Sequence, residues 1–219
     1  MDNIKNINEH EWNTDQNGKR WEDYDTIVCP DGTVIDMQKL LDDQNRAKAA
    51  LLHLQPFFSA FVGKLRPVYT FRIATQATDG VNLFINPQFT YELSLSEKTF
   101  VLAHEIMHCV LNHMRRGKGH DKARSNIAAD YECNITLSDA TGQMGLFKKS
   151  TIKGMKAYID DKYNTWGYEK IYNDVPDSSN DSQDNSKQSQ QNKKQSIDAD
   201  YINGWNQAME DYKNGKLKL

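Results

Sequence analysis

The sequence predicts an α+β fold, from two strand-like segments and two long helical patterns. Residues 68–77 (VYTFRIATQA) and 80–89 (GVNLFINPQF) have strand character and are joined by a TDG turn. Residues 93–117 then follow a helical pattern that ends at Gly117, with either Ser94 and Glu97 spaced as a capping box or Ser96 as a later cap. A second helix is expected in residues 125–138, with Ser125 near its cap. A small β-sheet and two neighbouring helices therefore form the expected core.

Composition favours one globular domain with polar ends. The 219 residues carry a formal net charge of −3, too little to indicate a nucleic-acid partner or an acidic membrane surface. No signal pattern or membrane span is evident, so we expect a cytoplasmic protein. The three cysteines have no CxxC spacing, which argues against a disulfide framework and a cysteine zinc site; Cys109 and Cys133 are expected to be small helix residues.

Changes in composition divide the chain into four predicted parts. Residues 1–38 form a polar N-terminal arm with a short turn, and residues 39–176 form the main domain. Across the boundary between them, residues 37–65 predict one kinked helix or two short helices, interrupted at Pro56. Residues 177–196 contain no apolar anchor and predict a disordered linker, and residues 197–219 predict a short C-terminal helix.

The helix in residues 93–117 is apolar on nearly every side, so it is expected to be buried. His104 and His108 nevertheless lie four positions apart, and side chains with this spacing point the same way from a helix. Two such imidazoles can bind one Zn²⁺, and Glu105 can reach a water molecule on that metal. The HExxH pattern therefore predicts a zinc site, with two hydrogen-bonded core histidines as the alternative.

A catalytic zinc usually has three protein ligands, so a third ligand is needed. On a continuous helix His113 would point about 180° from His104 and about 140° from His108, which makes it a poor ligand. In the second helix Asn126, Asp130 and Asn134 form one polar stripe. Asp130 is therefore the predicted third ligand, with an asparagine one turn away to orient a ligand. Glu132 ranks second, because it lies about 200° round the helix from Asp130.

Residues 40–175 also resemble a known family. The runs that carry the resemblance are INPQF, AHEIMHCVLNHMRRG, NIAADYECN and GMKAYIDDKYNTWGYEKIY. They are similar to the metallopeptidase domain that precedes a von Willebrand factor A-like domain in many bacterial proteins. The resemblance implies a zincin-like fold in which His104 and His108 hold zinc, and it supports Asp130. After Pro176 this chain predicts a linker and a short helix, so a separate protein is the expected source of an A-like domain.

The predicted chemistry is hydrolysis of a polypeptide substrate. Zinc would activate a water molecule, and Glu105 would act as the general base. If residues 81–86 form a sheet edge beside the cleft, they could bind an extended peptide by strand addition. Two alternatives stay open, a non-catalytic zinc-stabilised interaction module of bacterial or phage origin and a zinc hydrolase acting on a non-peptide amide. Retention of Glu105 argues against the first, because a structural zinc site needs no general base.

Overall fold

The computed structural model describes residues 12–29, 31–139 and 144–176, and they form an α+β structure with two small sheets. The predicted α+β class is therefore confirmed at this level. The contacts divide the described residues into two compact units, residues 12–99 and residues 100–176. The predicted linker (177–196), the predicted C-terminal helix (197–219) and the start of the arm lie outside the described residues.

The described part of the first unit contains short strands and helices and the start of a long helix, α4. The boundary between the two units falls within α4, between Thr99 and Phe100. In chain order the elements are β1 (Thr26–Val28), β2 (Val34–Asp36), α1 (Met37–Leu54), α2 (Ser59–Val62), β3 (Arg66–Tyr69), β4 (Gln76–Thr78), β5 (Asn82–Ile85), α3 (Pro87–Glu92) and α4 (Leu95–Val110). The second unit continues with α5 (His113–Arg116), α6 (Lys122–Leu137), α7 (Lys149–Gly154) and α8 (Tyr168–Asp174).

The end of the predicted polar arm is an ordered hairpin rather than irregular chain. β1 pairs with β2 in antiparallel register, with Ile27 opposite Ile35, and both side chains are buried. The turn between the strands places Gly32 at a φ of 87°, a conformation that glycine adopts without steric cost. The hairpin escaped prediction because each strand has three residues and buries only one.

Helix α1 follows the hairpin directly and confirms the predicted interruption at Pro56. The Asp36 side chain accepts a hydrogen bond from the Lys39 amide and caps the helix. Met37, Leu40 and Leu51 are fully buried along one face. The chain leaves the helix after Leu54, and Pro56 opens a 3₁₀ turn (Pro56–Phe58) that leads into the single turn of α2.

The larger sheet has the strand order β3-β5-β4. β4 and β5 form the hairpin expected around the TDG turn, where the Asp79 carboxylate accepts hydrogen bonds from the amides of Val81 and Asn82. β3 pairs with β5 in parallel, so β5 is the central strand and all four of its residues are buried. The expectation that residues 81–86 form a sheet edge is therefore wrong, because both sides of β5 are already paired.

Helix α4 starts as predicted but ends seven residues before Gly117. The Ser94 amide donates to Glu97 Oε2 at 2.9 Å and the Glu97 amide donates to Ser94 Oγ at 3.3 Å, which is a capping box. At the other end Asn112 adopts a left-handed conformation with φ 59°. Such a residue cannot continue an α-helix, so α4 stops at Val110 and α5 begins in a new direction at His113.

Helix α6 begins earlier than predicted and packs on α8. Asp121 caps it by accepting a hydrogen bond from the Arg124 amide, whereas Ser125, the predicted cap, is buried within the helix. The Ser125 hydroxyl instead lies 2.6 Å from the hydroxyl of Tyr168. The fully buried residues of this small core are Ala128, Tyr168 and Ile171. None of the helices in the described parts is both long and apolar enough to cross a membrane.

Candidate metal centre

Helix α4 brings His104 and His108 together in the second unit. The helix is apolar around them, with Ala103, Ile106 and Met107 at most 2 % exposed. The two imidazoles lie one turn apart, and their Nε2 atoms are separated by 3.0 Å. The side chains of His104 and His108 are 15 % and 16 % exposed, so this pair is only partly buried although the helix around it is buried.

Helix α6 places Asp130 against both histidines. Its Oδ1 atom lies 3.4 Å from His104 Nε2 and 3.3 Å from His108 Nε2. Ligands that surround a tetrahedral zinc ion at 2.0–2.1 Å are about 3.3–3.4 Å from one another. The two distances to Asp130 match that spacing, and the distance between the histidines is slightly shorter. These three donor atoms, here called the ligand triangle, fit a small tetrahedral cation.

Cys133 is a second candidate third ligand that sequence reasoning passed over. Its thiol sulfur and one ring nitrogen each of His104 and His108 all lie within 4.8 Å of one another. Cys133 follows Asp130 by about one helical turn, and this spacing was the available signal. Burial raises the pKa of the Cys133 thiol well above its usual range, which disfavours the thiolate form that binds metals.

The charges of the ligand triangle are unevenly distributed. Burial alone would lower the pKa of the His104 imidazole, but the hydrogen bond and the negative charge of Asp130 outweigh burial and raise this pKa to about 9. Burial dominates at His108 and lowers its pKa to about 4. The two imidazoles in turn hold the pKa of Asp130 well below its usual range, despite its burial. The triangle thus contains one ion pair, between His104 and Asp130, and one neutral imidazole.

Glu105 lies beside the ligand triangle as a buried carboxyl group. It is 6 % exposed, and burial raises its pKa to about 7. The positive charge of His104 opposes this rise and the negative charge of Asp130 adds to it. A carboxyl group with a pKa near neutrality can both accept and release a proton at physiological pH, as general acid-base chemistry requires.

Asn134 fixes the orientation of His104. Its side-chain amide donates to the carbonyl oxygen of Tyr158 at 2.8 Å, which identifies the other end of the amide as the oxygen. That oxygen lies 2.7 Å from His104 Nδ1 and can only accept, so Nδ1 carries a proton and donates it. Nε2 is then the nitrogen that can bind a metal, once its own proton has left. An asparagine one turn from Asp130 was expected to orient a ligand, and Asn134 has this contact.

His113 lies against His108, contrary to the expectation from a continuous helix. Because α4 ends at Val110 and the chain turns at Asn112, His113 Nδ1 comes within 2.9 Å of His108 Nδ1. Its other ring nitrogen lies 2.6 Å from Glu132 Oε2. Glu132, the second-ranked ligand, therefore contacts His113, and neither residue belongs to the ligand triangle.

Comparison with known proteins gives a family but no individual relative. Searches of curated proteins and of solved structures found no match. Among protein families, residues 40–218 match the family described as "Putative metallopeptidase domain", which covers more than half of the chain. A metallopeptidase family implies a bound metal ion, and His104, His108 and Cys133 of the second unit form a group that could hold one. The chain therefore belongs to this metallopeptidase-domain family.

Proposed function

We propose that the chain is a zinc-dependent, zincin-like metallopeptidase that hydrolyses peptide bonds. The observation that carries the proposal is the ligand triangle, with donor atoms 3.0–3.4 Å apart, beside the buried carboxyl group of Glu105. Family membership supports a metal-dependent protease at the coarser level.

The donor set favours zinc over the hard cations. Two imidazole nitrogens and one carboxylate oxygen are typical zinc ligands, whereas Ca²⁺ and Mg²⁺ prefer oxygen ligands throughout. His104, His108 and Asp130 would hold the ion, and three protein ligands leave a coordination position open, as in catalytic zinc sites.

Glu105 would perform the proton transfers of the reaction. A bound zinc ion supplies Lewis acidity, which lowers the pKa of water toward about 7 and polarises the carbonyl group. The Glu105 carboxylate accepts the proton that the attacking water loses, and then delivers it to the nitrogen of the leaving amine. Asn134 meanwhile keeps His104 in the orientation that presents Nε2.

The surroundings of the enzyme are part of the same proposal. We infer a polypeptide substrate, a cytoplasmic location and a separate protein with an A-like domain as partner, without a nucleic-acid or membrane partner. Strand addition at residues 81–86 is not included, because β5 is paired on both sides.

Cys133 supports one alternative function. If Asp130 and Cys133 both bound the metal, four protein ligands would close the site, as in structural zinc sites. The chain would then be an interaction module stabilised by zinc, and Glu105 would have no water to deprotonate.

The experiment compares wild type with Glu105→Gln, which keeps the side-chain size and removes the base. Both full-length proteins should bind about one zinc ion. The variant should cleave unfolded protein substrates about 10²–10⁴-fold more slowly, the usual contribution of general-base catalysis. The matched control is Glu92→Gln, at an exposed position in the first unit, which should cleave like wild type. Equal cleavage by Glu105→Gln and wild type would overturn the assignment of the base.

A further inference from the structure

A chain of hydrogen bonds leads from the ligand triangle into the interior of the second unit. His108 Nδ1 lies 2.9 Å from His113 Nδ1, and His113 Nε2 lies 2.6 Å from Glu132 Oε2. His113 and Glu132 are 6 % and 7 % exposed, so water competes little for these contacts. Both ring nitrogens of His113 are engaged, so this residue is not free to bind a metal in this arrangement.

The partly buried side chain of Arg116 contacts Glu132, the last residue in this series of hydrogen bonds. Its Nη1 atom donates to Glu132 Oε2 at 2.9 Å and to the carbonyl oxygen of Leu111 at 3.1 Å. The same guanidinium also donates through Nε and Nη2 to the Glu169 carboxylate, at 2.8 Å each. Glu132 thus forms an ion pair with Arg116, and a carboxylate can only accept hydrogen bonds.

When His113 is neutral, these hydrogen bonds are consistent with one arrangement of protons. Glu132 accepts, so His113 Nε2 must carry a proton and donate it. In a neutral His113 ring, Nδ1 is left as an acceptor, and His108 Nδ1 must be the donor. A histidine that binds a metal is neutral, so the lone pair of His108 is then on Nε2, the atom 3.3 Å from Asp130 Oδ1.

We propose that His113 and Glu132 are positioning residues that hold His108 in the tautomer able to bind metal through Nε2. The inference rests on the proposed metal role of His108. Asn134 has the same effect on His104 through a single contact, whereas His108 depends on two further side chains. The left-handed turn at Asn112 allows this arrangement, because it brings His113 back toward His108.

The first test is long-range ¹H–¹⁵N NMR of the histidine rings in the zinc-loaded, full-length wild type. We expect His108 to be protonated at Nδ1, and His113 to be protonated at Nε2 and not at Nδ1. A proton on His113 Nδ1 would overturn the proposal. This measurement needs no variant, so it gives a result even if a substitution prevents folding.

The second test is zinc affinity, measured by competition with a chelator. His113→Leu removes the acceptor and should weaken binding about 10–100-fold, the usual effect of losing a group that orients a ligand. His113→Gln restores an acceptor oxygen and should recover most of that loss, which a purely structural role would not explain. The matched control is His120→Leu, because His120 contacts Tyr168 and not the ligand triangle. Wild-type affinity in His113→Leu would overturn the proposal.

Neither test measures hydrolysis, so the two proposals can fail separately. An inactive chain with the expected tautomers and affinities would contradict the peptidase and leave the positioning residues in place. An active peptidase with a proton on His113 Nδ1 would contradict only the positioning residues.

Discussion

Replacing Asp130 with asparagine tests the third ligand with the least change in shape. Asp130→Asn keeps the size of the side chain and removes the negative charge that lies within 3.4 Å of both His104 and His108. An amide oxygen is a weaker zinc ligand than a carboxylate, so the expected result is a large loss of zinc affinity with little loss of fold.

The size of the loss follows from the number of ligands. Zinc binding to structural sites with four ligands is worth about 10–16 kcal/mol, or roughly 2.5–4 kcal/mol for each ligand. Because about 1.4 kcal/mol corresponds to a tenfold change in affinity, losing one ligand should weaken binding about 100- to 1,000-fold.

The assay is competition with a chromophoric zinc chelator at fixed pH, using full-length proteins. Asp42→Asn is the matched control, because Asp42 is exposed on α1 and accepts a hydrogen bond from Gln38 of the same helix. Cys133→Ser is measured beside it and should bind zinc like wild type. Unchanged affinity in Asp130→Asn together with a large loss in Cys133→Ser would refute Asp130 as the third ligand.

Three further predictions concern protons and packing in the second unit. Zinc binding at pH 7.5 should release at least about one proton, because His104, with its pKa raised to about 9, must lose its proton to bind. Calorimetry in buffers of different ionisation enthalpy should detect the release, and no release would contradict the ion pair. When a chelator keeps the protein free of zinc, protonated His104 stabilises the folded state. This stabilisation is fully present below the unfolded pKa near 6.5 and is lost as the pH rises toward 9. The free energy of unfolding in urea should therefore fall between about pH 6.5 and 8.5, with His104 contributing at most about 1.4 kcal/mol per pH unit and the raised pKa of Glu105 adding to the fall up to about pH 7. A rise would contradict this prediction. Gly117→Ala should lower the free energy of unfolding by about 1–3 kcal/mol, because a Cβ there would lie 2.5 Å from Ser125 Oγ. Gly63→Ala is the control and should lower it clearly less, because a Cβ at Gly63 meets nothing within 4 Å. Equal losses in denaturant unfolding would contradict this prediction.

Regular patterns were predictable because they depend on spacing along one element. The apolar residues on nearly every side of α4 indicated that the helix is buried. The four-residue spacing of His104 and His108 indicated that their side chains point the same way. The stripe on α6 pointed to Asp130, and the structure brings its carboxylate to both histidines. Its role as a metal ligand stays a prediction.

The contacts around His113 were not predictable from spacing. They depend on the left-handed conformation of Asn112, and an asparagine within an apolar helical pattern is a weak signal for a break. Without the break, His113 would point away from His108, and Glu132 would lose its contact with that ring. Cys133 was passed over because a lone cysteine in a helix is usually only a small buried residue.

The hairpin and the strand order were missed for a different reason. Strands of three residues, such as β1 and β2, are too short for alternation to stand out. The position of β5 in the sheet depends on the parallel pairing of β3, which is a tertiary contact rather than a local pattern. Local patterns identify strands, but they do not specify which strand is central.

The central claim is tested most directly by metal-dependent cleavage in water labelled with ¹⁸O. The full-length protein is stripped with a chelator, reloaded with one equivalent of zinc, and incubated with unfolded protein substrates. We predict new C-termini that carry ¹⁸O with the zinc-loaded protein, none above background with the stripped protein, and recovery on reloading. Zinc-loaded protein that yields no new termini, or stripped protein that cleaves as fast, would contradict a zinc-dependent peptidase.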